Sequence, residues 1–204
     1  MVTMTIVDGV LFRACEQVGR DLYRAGLVSS HGGNLSICRG DRLVIKRRGA
    51  MLGRLHPEDL IETGLAQDDE NAPHCSTELI VHRAIYQATR SGAVVHAHPR
   101  TAVALSLRRE TIVPLDTEGR AVLGAVPVVA VERPSGSPEV ARAVADRLRT
   151  HPIVVVRGHG SFAAGQTLEQ AFQHTSILEE SCQIIWMAEL LEAIQSPPGR
   201  HATD

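Results

Sequence analysis

Two histidines stand two residues apart at the end of a short apolar run, Ala93-Val94-Val95-His96-Ala97-His98-Pro99. The residues before them favour a buried strand, and a strand's side-chain period of two sends both imidazoles to the same side. Two imidazoles so placed can share one cation, or they can be strand-end groups making ordinary hydrogen bonds. Zinc takes three or four such ligands, and a catalytic zinc keeps one position open. A third histidine, His159, follows another apolar strand in Arg157-Gly158-His159-Gly160. A carboxylate, Glu78, opens the helix ahead of the His-x-His strand. A glutamate there also suits a helix dipole, which gives it a purely structural alternative.

The elements that must hold these groups are legible in order. Residues 8–25 form a helix capped by Asp8 and stopped by Gly26. Ser29-Ser30-His31-Gly32-Gly33-Asn34-Leu35-Ser36-Ile37 gives a tight turn and a strand. Its exposed N–H groups suit an anion or simply a helix-to-strand connection. Residues 42–46 pair back as a hairpin. Lys46-Arg47-Arg48-Gly49 is a compact basic run, either a solvated loop or a site whose guanidinium forks match phosphate or carboxylate. Residues 57–62 suggest a turn and strand, and 67–73 an acidic surface loop. A helix capped by Ser76 runs to about Arg90 and carries His82, a histidine with a structural role.

Pro99 starts the next helix, residues 112–115 and 126–129 are short strands, and Ser137-Pro138 opens a helix to residue 149. Residues 153–156 are a fully apolar buried strand. A long helix from Thr167 to about Ile194 has an apolar face broad enough for burial beneath a sheet or in a subunit contact. Alternating helices and tightly turned strands imply an α/β chain, a three-layer α/β/α arrangement with a mixed, largely antiparallel central sheet. One domain of 204 residues is expected, with its core at about 8–195 and a loose tail at 196–204.

Composition narrows the function. A formal net charge of −2 gives no bulk attraction for nucleic acid or an anionic membrane, and 3% aromatics argue against base stacking. No apolar run reaches the roughly 20 residues needed to cross a bilayer. Residues 1–4 lack a signal-peptide pattern. Cys15, Cys38, Cys75 and Cys182 are scattered, as expected for a reducing cytoplasm.

Gly33-Asn34-Leu35-Ser36, Ser76-Thr77-Glu78, His96-Ala97-His98 and Gly158-His159-Gly160 occur in the order and spacing of the class II aldolase/adducin family. Over about residues 10–190 the chain resembles that family, and most of all its short bacterial L-fuculose-1-phosphate aldolases. The resemblance implies one divalent ion per chain on His96, His98 and His159. Zinc is the expected metal, with manganese, iron and cobalt also suited to such ligands. Glu78 would be the fourth ligand at rest and the base once substrate displaces it.

The implied activity is cleavage of a ketose 1-phosphate, such as L-fuculose 1-phosphate, to dihydroxyacetone phosphate and an aldehyde through a metal-stabilised enediolate. Asn34, Gly49, Ser76 and Thr77 match the family's phosphate-binding places, as does Gly33 within its motif. His31 stands where a threonine is usual, and Arg48 where a serine or threonine precedes the glycine. Arg48 could bind phosphate or a substrate carboxylate. Glu118, with Asp116 as understudy, falls where the aldolases carry a tyrosine and the dehydratases a glutamate. It is the candidate second acid/base, or else a turn residue before Gly119. The resemblance also implies a homo-oligomer, a tetramer with its pocket between subunits. A decarboxylase or dehydratase on the same metal, using Arg47 or Arg48 for a carboxylate, is the alternative. A non-catalytic adducin-like module fits less well, because it needs no full histidine triad.

Overall fold

The apolar runs of the sequence pair into one eight-stranded sheet in the computed structural model, which describes residues 8–195. The strands are β1 (Asn34–Arg39), β2 (Arg42–Lys46), β3 (Leu60–Gly64), β4 (Ala93–Ala97), β5 (Thr111–Ile112), β6 (Val126–Val129), β7 (Ile153–Val156) and β8 (Gly160–Gly165). Their order is β3-β2-β1-β4-β8-β7-β6-β5. Among these pairs only β6 and β7 run parallel, and they need the long crossover that a helix supplies. The other pairs are antiparallel, so the sheet is mixed and largely antiparallel, as the turn-rich sequence implied.

Side-chain alternation divides the core in two. On one face Leu35, Val95, Val155 and Ala163 meet helices α1 (Gly9–Arg24), α3 (Arg100–Ser106) and α6 (Leu168–Gln195). On the other, Ile45, Val94, Val154 and Phe162 meet α2 (Leu79–Ala88) and α5 (Pro138–Leu148). The result is the three-layer α/β/α arrangement. Asp8 caps α1 by accepting from the Val10 N–H at 3.0 Å, and Ser137 caps α5 by accepting from Val140 at 3.2 Å. Cys15, Cys75 and Cys182 are free and buried, and burial pushes their thiols up to about 12, so they act as small apolar fillers.

Four local expectations change. The helix expected from Ser76 begins only at Leu79, with Glu78 at the N-cap. Its preceding segment is pinned to the end of β2, where the Ser76 N–H donates to Lys46 O and the Arg48 N–H to His74 O. Residues 113–115 do not extend β5, since Pro114 has no N–H to give a ladder. A short helix, α4 (Thr117–Val122), fills the interval instead, capped by Asp116. Finally, β8 had no clear strand signal, because Gly-Ser-Phe-Ala-Ala-Gly has weak β propensity. Small residues suit that place, between two strands and beneath α6. The expected tail at 196–204 lies outside the described residues.

Among the described residues Phe162 is the largest fully buried side chain, and it sits directly opposite His96 in the β4–β8 ladder. Phe162→Ala should therefore destabilise the fold by about 3–5 kcal/mol, read from the urea midpoint at unchanged m-value.

Candidate metal centre and its cleft

Three strand ends bring the histidines together. His96 lies in β4, His98 follows it as the chain leaves the sheet, and His159 sits in the tight turn from β7 to β8. Gly158 makes that turn at φ +69°. The ligand atoms of the three imidazoles all lie within 4.8 Å of one another. His96 Nδ1 lies 2.9 Å from the Ser161 carbonyl and donates to it. The Nε2 lone pair is thereby left facing His98 Nε2 at 3.1 Å. Phe162 stacks on the other side of the His96 ring, with centroids 4.1 Å apart.

Burial, and then the neighbouring His98 and His159, hold His96 well below the usual imidazole range. Burial and His159 lower His98 to about 4. Both rings are thus neutral at physiological pH, which is the metal-binding form. The His159 Nδ1 is buried with no hydrogen-bond partner. Three imidazole nitrogen donors gathered in one place, one of them on a ring whose other nitrogen has no partner, fit a borderline divalent ion.

Glycines make the close packing possible. A Cβ at Gly160 would lie 2.3 Å from Ala97 O, 2.7 Å from His98 Cδ2 and 3.2 Å from His96 Cε1. A Cβ at Gly32 would reach 3.0 Å from His98 Nδ1. Gly33 adopts φ +70°, and a side chain there would strike Val28 and the His96 carbonyl.

Glu78 stands beside this cluster. Its Oε1 is 4.0 Å from His159 Nε2. Each oxygen is held by the loop before α5: Ser135 Oγ donates to Oε1 at 2.6 Å and the Gly136 N–H to Oε2 at 3.2 Å. So fixed, the carboxylate is placed to exchange a proton near the three rings.

A cleft of about 190 Å³ joins the histidines to the basic run. His31, Gly33, Asn34, Arg48, Gly49, Ser76, Thr77 and Glu78 all line it. Lys46 and Ser135 line it too, and sequence reasoning passed over both. Lys46 was legible only as part of a charge run. In fact it is buried, donating to the carbonyls of Ala50 at 2.7 Å and His31 at 3.4 Å. Burial lowers it to about 8 despite the nearby Asp59 carboxylate. Ser135 belonged to a Pro-Ser-Gly-Ser-Pro stretch that looks like any turn.

Arg47 is engaged elsewhere, forming a 2.5 Å salt bridge with Asp59. Asp116 is a capping group that accepts from the Gly119 N–H at 2.6 Å. Glu118 is exposed on α4 and lines a different groove with Thr167, Gln170, Ile177 and Glu180. His82 is fully buried, pushed by burial to about 3, and bonded to Ser36 Oγ at 2.6 Å, so it is structural.

Three clustered imidazoles, a fixed carboxylate and a cleft lined by Lys46 and Arg48 on an α/β/α sandwich make an enzyme site of the metal-assisted kind. The chain belongs to the family of the class II aldolase and adducin N-terminal domain, whose model matches residues 13–186, and it stands among that family's lyases. It resembles the solved L-fuculose-1-phosphate aldolase from Thermus thermophilus, with 39% identity, a TM-score of 0.87, and 95% of this chain and 100% of that one covered. A 3-oxo-tetronate 4-phosphate decarboxylase from Haemophilus influenzae is 29% identical over 92% of this chain and 90% of its own length. A probable bifunctional methylthioribose-1-phosphate isomerase/methylthioribulose-1-phosphate dehydratase from Nocardia farcinica is 29% identical over 81% of this chain, which spans only 33% of that protein.

The contacts at Gly160 lead to a direct test. Gly160→Ala should keep the far-ultraviolet dichroism of the wild type but lose stoichiometric metal after dialysis, measured by elemental analysis.

Proposed function

We propose that this chain is a single-domain, divalent-metal-dependent aldolase that cleaves a ketose 1-phosphate, L-fuculose 1-phosphate being the type substrate, to dihydroxyacetone phosphate and an aldehyde. The observation that carries the reading is the two-ended cleft. One end has His96, His98 and His159 beside Glu78. The other has the Lys46 ammonium, the Arg48 guanidinium, the Asn34 amide and the small residues Gly49, Ser76 and Thr77. The likeness to the Thermus enzyme supports the same choice.

The three histidines would hold the ion, with zinc the preferred metal. A bound divalent cation supplies Lewis-acid polarisation of a substrate carbonyl. The chain's own groups do the rest. Lys46, held by two carbonyls and not neutralised by a directly paired carboxylate, attracts the phosphate, and Ser76, Thr77 and the Gly49 backbone orient it. Cleavage requires one proton to leave the hydroxyl at the breaking bond and another to reach the carbon left behind. Glu78, having taken up a proton from solvent, delivers the second, held in position by Ser135 and Gly136.

Glu118 is our candidate for the first proton. Because it lies away from its own chain's cleft, that role requires a homo-oligomer, a tetramer by family likeness, in which it reaches a neighbouring cleft. The exposed apolar residues Trp186, Met187, Leu190, Leu191 and Ile194 on α6 support self-association. Scattered free thiols and the absence of any helix long and apolar enough to cross a membrane among the described residues support a cytoplasmic location.

The second reading is a decarboxylase or dehydratase on the same site. Arg48 favours it, since its fork also suits a carboxylate, and the Haemophilus and Nocardia relatives carry such activities in their names. Arg47, bound to Asp59, does not contribute.

Metal-replete protein offered ketose 1-phosphates should release dihydroxyacetone phosphate in a coupled assay, and Glu78→Gln should lose at least about a hundredfold in kcat. No release, with metal bound at one per chain, would overturn the aldolase reading and direct the assay to carbon dioxide from phosphorylated acids. Lys46 adds a pH test. Its charged form persists below about 8 and is lost above it, so KM for the phosphorylated substrate should rise as pH passes 8. Lys46→Met should start from a high KM and show no such step.

A further inference from the structure

His96 and His98 are fixed in different ways. His96 is held through its ring, by the Ser161 carbonyl on one nitrogen and Phe162 on its face. Among the described residues the His98 ring has no hydrogen-bond partner except His96 itself. Its placement must therefore come from its backbone. On the N-terminal side the His98 N–H donates to the Leu27 carbonyl at 2.8 Å. On the other side the chain turns through Pro99 straight into α3.

The first turn of α3 is not capped by its own sequence. Pro99 stands at the N-cap and offers no side-chain acceptor. The N–H groups freed at a helix start need a partner when buried. They find one in Glu179, a buried carboxylate in the middle of α6. The Thr101 N–H reaches both oxygens at 3.0 Å, the Ala102 N–H reaches Oε2 at 3.1 Å, and Thr101 Oγ1 donates to Oε1 at 2.7 Å. Gln183 Nε2 adds a further bond at 3.2 Å. One carboxylate thus collects the first turn of a helix that begins two residues after His98.

We infer that Glu179 is a positioning residue for the metal centre: it caps α3 from a distance and so fixes the backbone that aims His98. A capping role confined to stability would leave the ligand geometry of the folded protein unchanged. The inference rests on the metal reading of the three histidines given above, but on neither the substrate nor the reaction.

The test is zinc affinity by chelator competition on folded protein, with thermal melts of the metal-free form alongside. Glu179→Gln keeps the shape but sets an amide NH2 against N–H donors. It should weaken zinc binding by about ten-fold, in the range of lost outer-sphere support. Asp8→Ala, which removes the cap of α1, is the comparison. It should lower the melting temperature and leave zinc affinity unchanged. If Glu179→Gln misfolds, Thr101→Val carries the test, and removing that single bond should weaken zinc by roughly three-fold. Zinc affinity within two-fold of wild type in Glu179→Gln, or in Thr101→Val where that variant stands in, overturns the inference. So does equal weakening in Asp8→Ala. A wild type that binds no zinc overturns the metal reading itself, and this inference with it.

Discussion

Three imidazoles crowded at the ends of β4 and β7 are the constraint that the rest of the molecule serves. Burial and close packing keep His96 and His98 from protonation, and the protein must leave a lone pair free on each ring that is to hold an ion. The surroundings follow from that demand. Gly160 and Gly32 provide the space, Ser161 offers only a backbone carbonyl, and Phe162 covers one ring face without competing for its nitrogen. The Glu78 carboxylate stands beside the rings, with one oxygen held by Ser135 Oγ and the other by the Gly136 N–H.

The same neighbourhood explains how the two chemical ends of the cleft are coupled. Lys46 closes β2, and the segment carrying Ser76 and Glu78 is hydrogen-bonded to that strand end. Lys46 and the segment carrying Ser76 and Glu78 are therefore held in register by backbone hydrogen bonds. The Arg47–Asp59 pair anchors the loop that follows and removes one cation from the cleft's charge balance. Arg48 and Lys46 remain there, and the buried Lys46 charge is supported by carbonyl dipoles rather than, among the described residues, by a directly paired carboxylate.

Much of this was legible in the sequence. His-x-His at a strand end and the third histidine in a glycine turn announced a cluster in residue type and spacing, while the Ser-Thr-Glu triplet stood out only through the family resemblance. The caps at Asp8 and Ser137 were legible too, where local hydrogen bonding decides the outcome. Tertiary pinning was not legible: α2 starts late because Ser76 is tied to β2, and nothing local to residues 76–79 says so. Strand β8 was hidden because its residues are chosen for closeness to neighbours, not for propensity. Lys46 and Ser135 were hidden because a lysine in a basic run and a serine in a proline-rich turn resemble solvent-facing residues. Glu118 was legible as an acid, but its distance from the histidines depends on α4, a helix with a glycine in its middle that packs against Ser181.

The ladder between β1 and β4 pairs Asn34 with His96, while β1 and β2 pair Ser36 with Ile45, next to Lys46. Those pairings make the sheet a ruler. The span from the histidine end of the cleft to its Lys46 end is set by hydrogen-bonded backbone, and a one-residue slip would turn every side chain to the opposite face. Replacing cleft side chains can change which charge is recognised at either end. It cannot readily change how many carbon atoms fit between them. Diversification on this scaffold is thus channelled toward new reactions on substrates of similar length, and longer substrates call for changed loops rather than changed side chains.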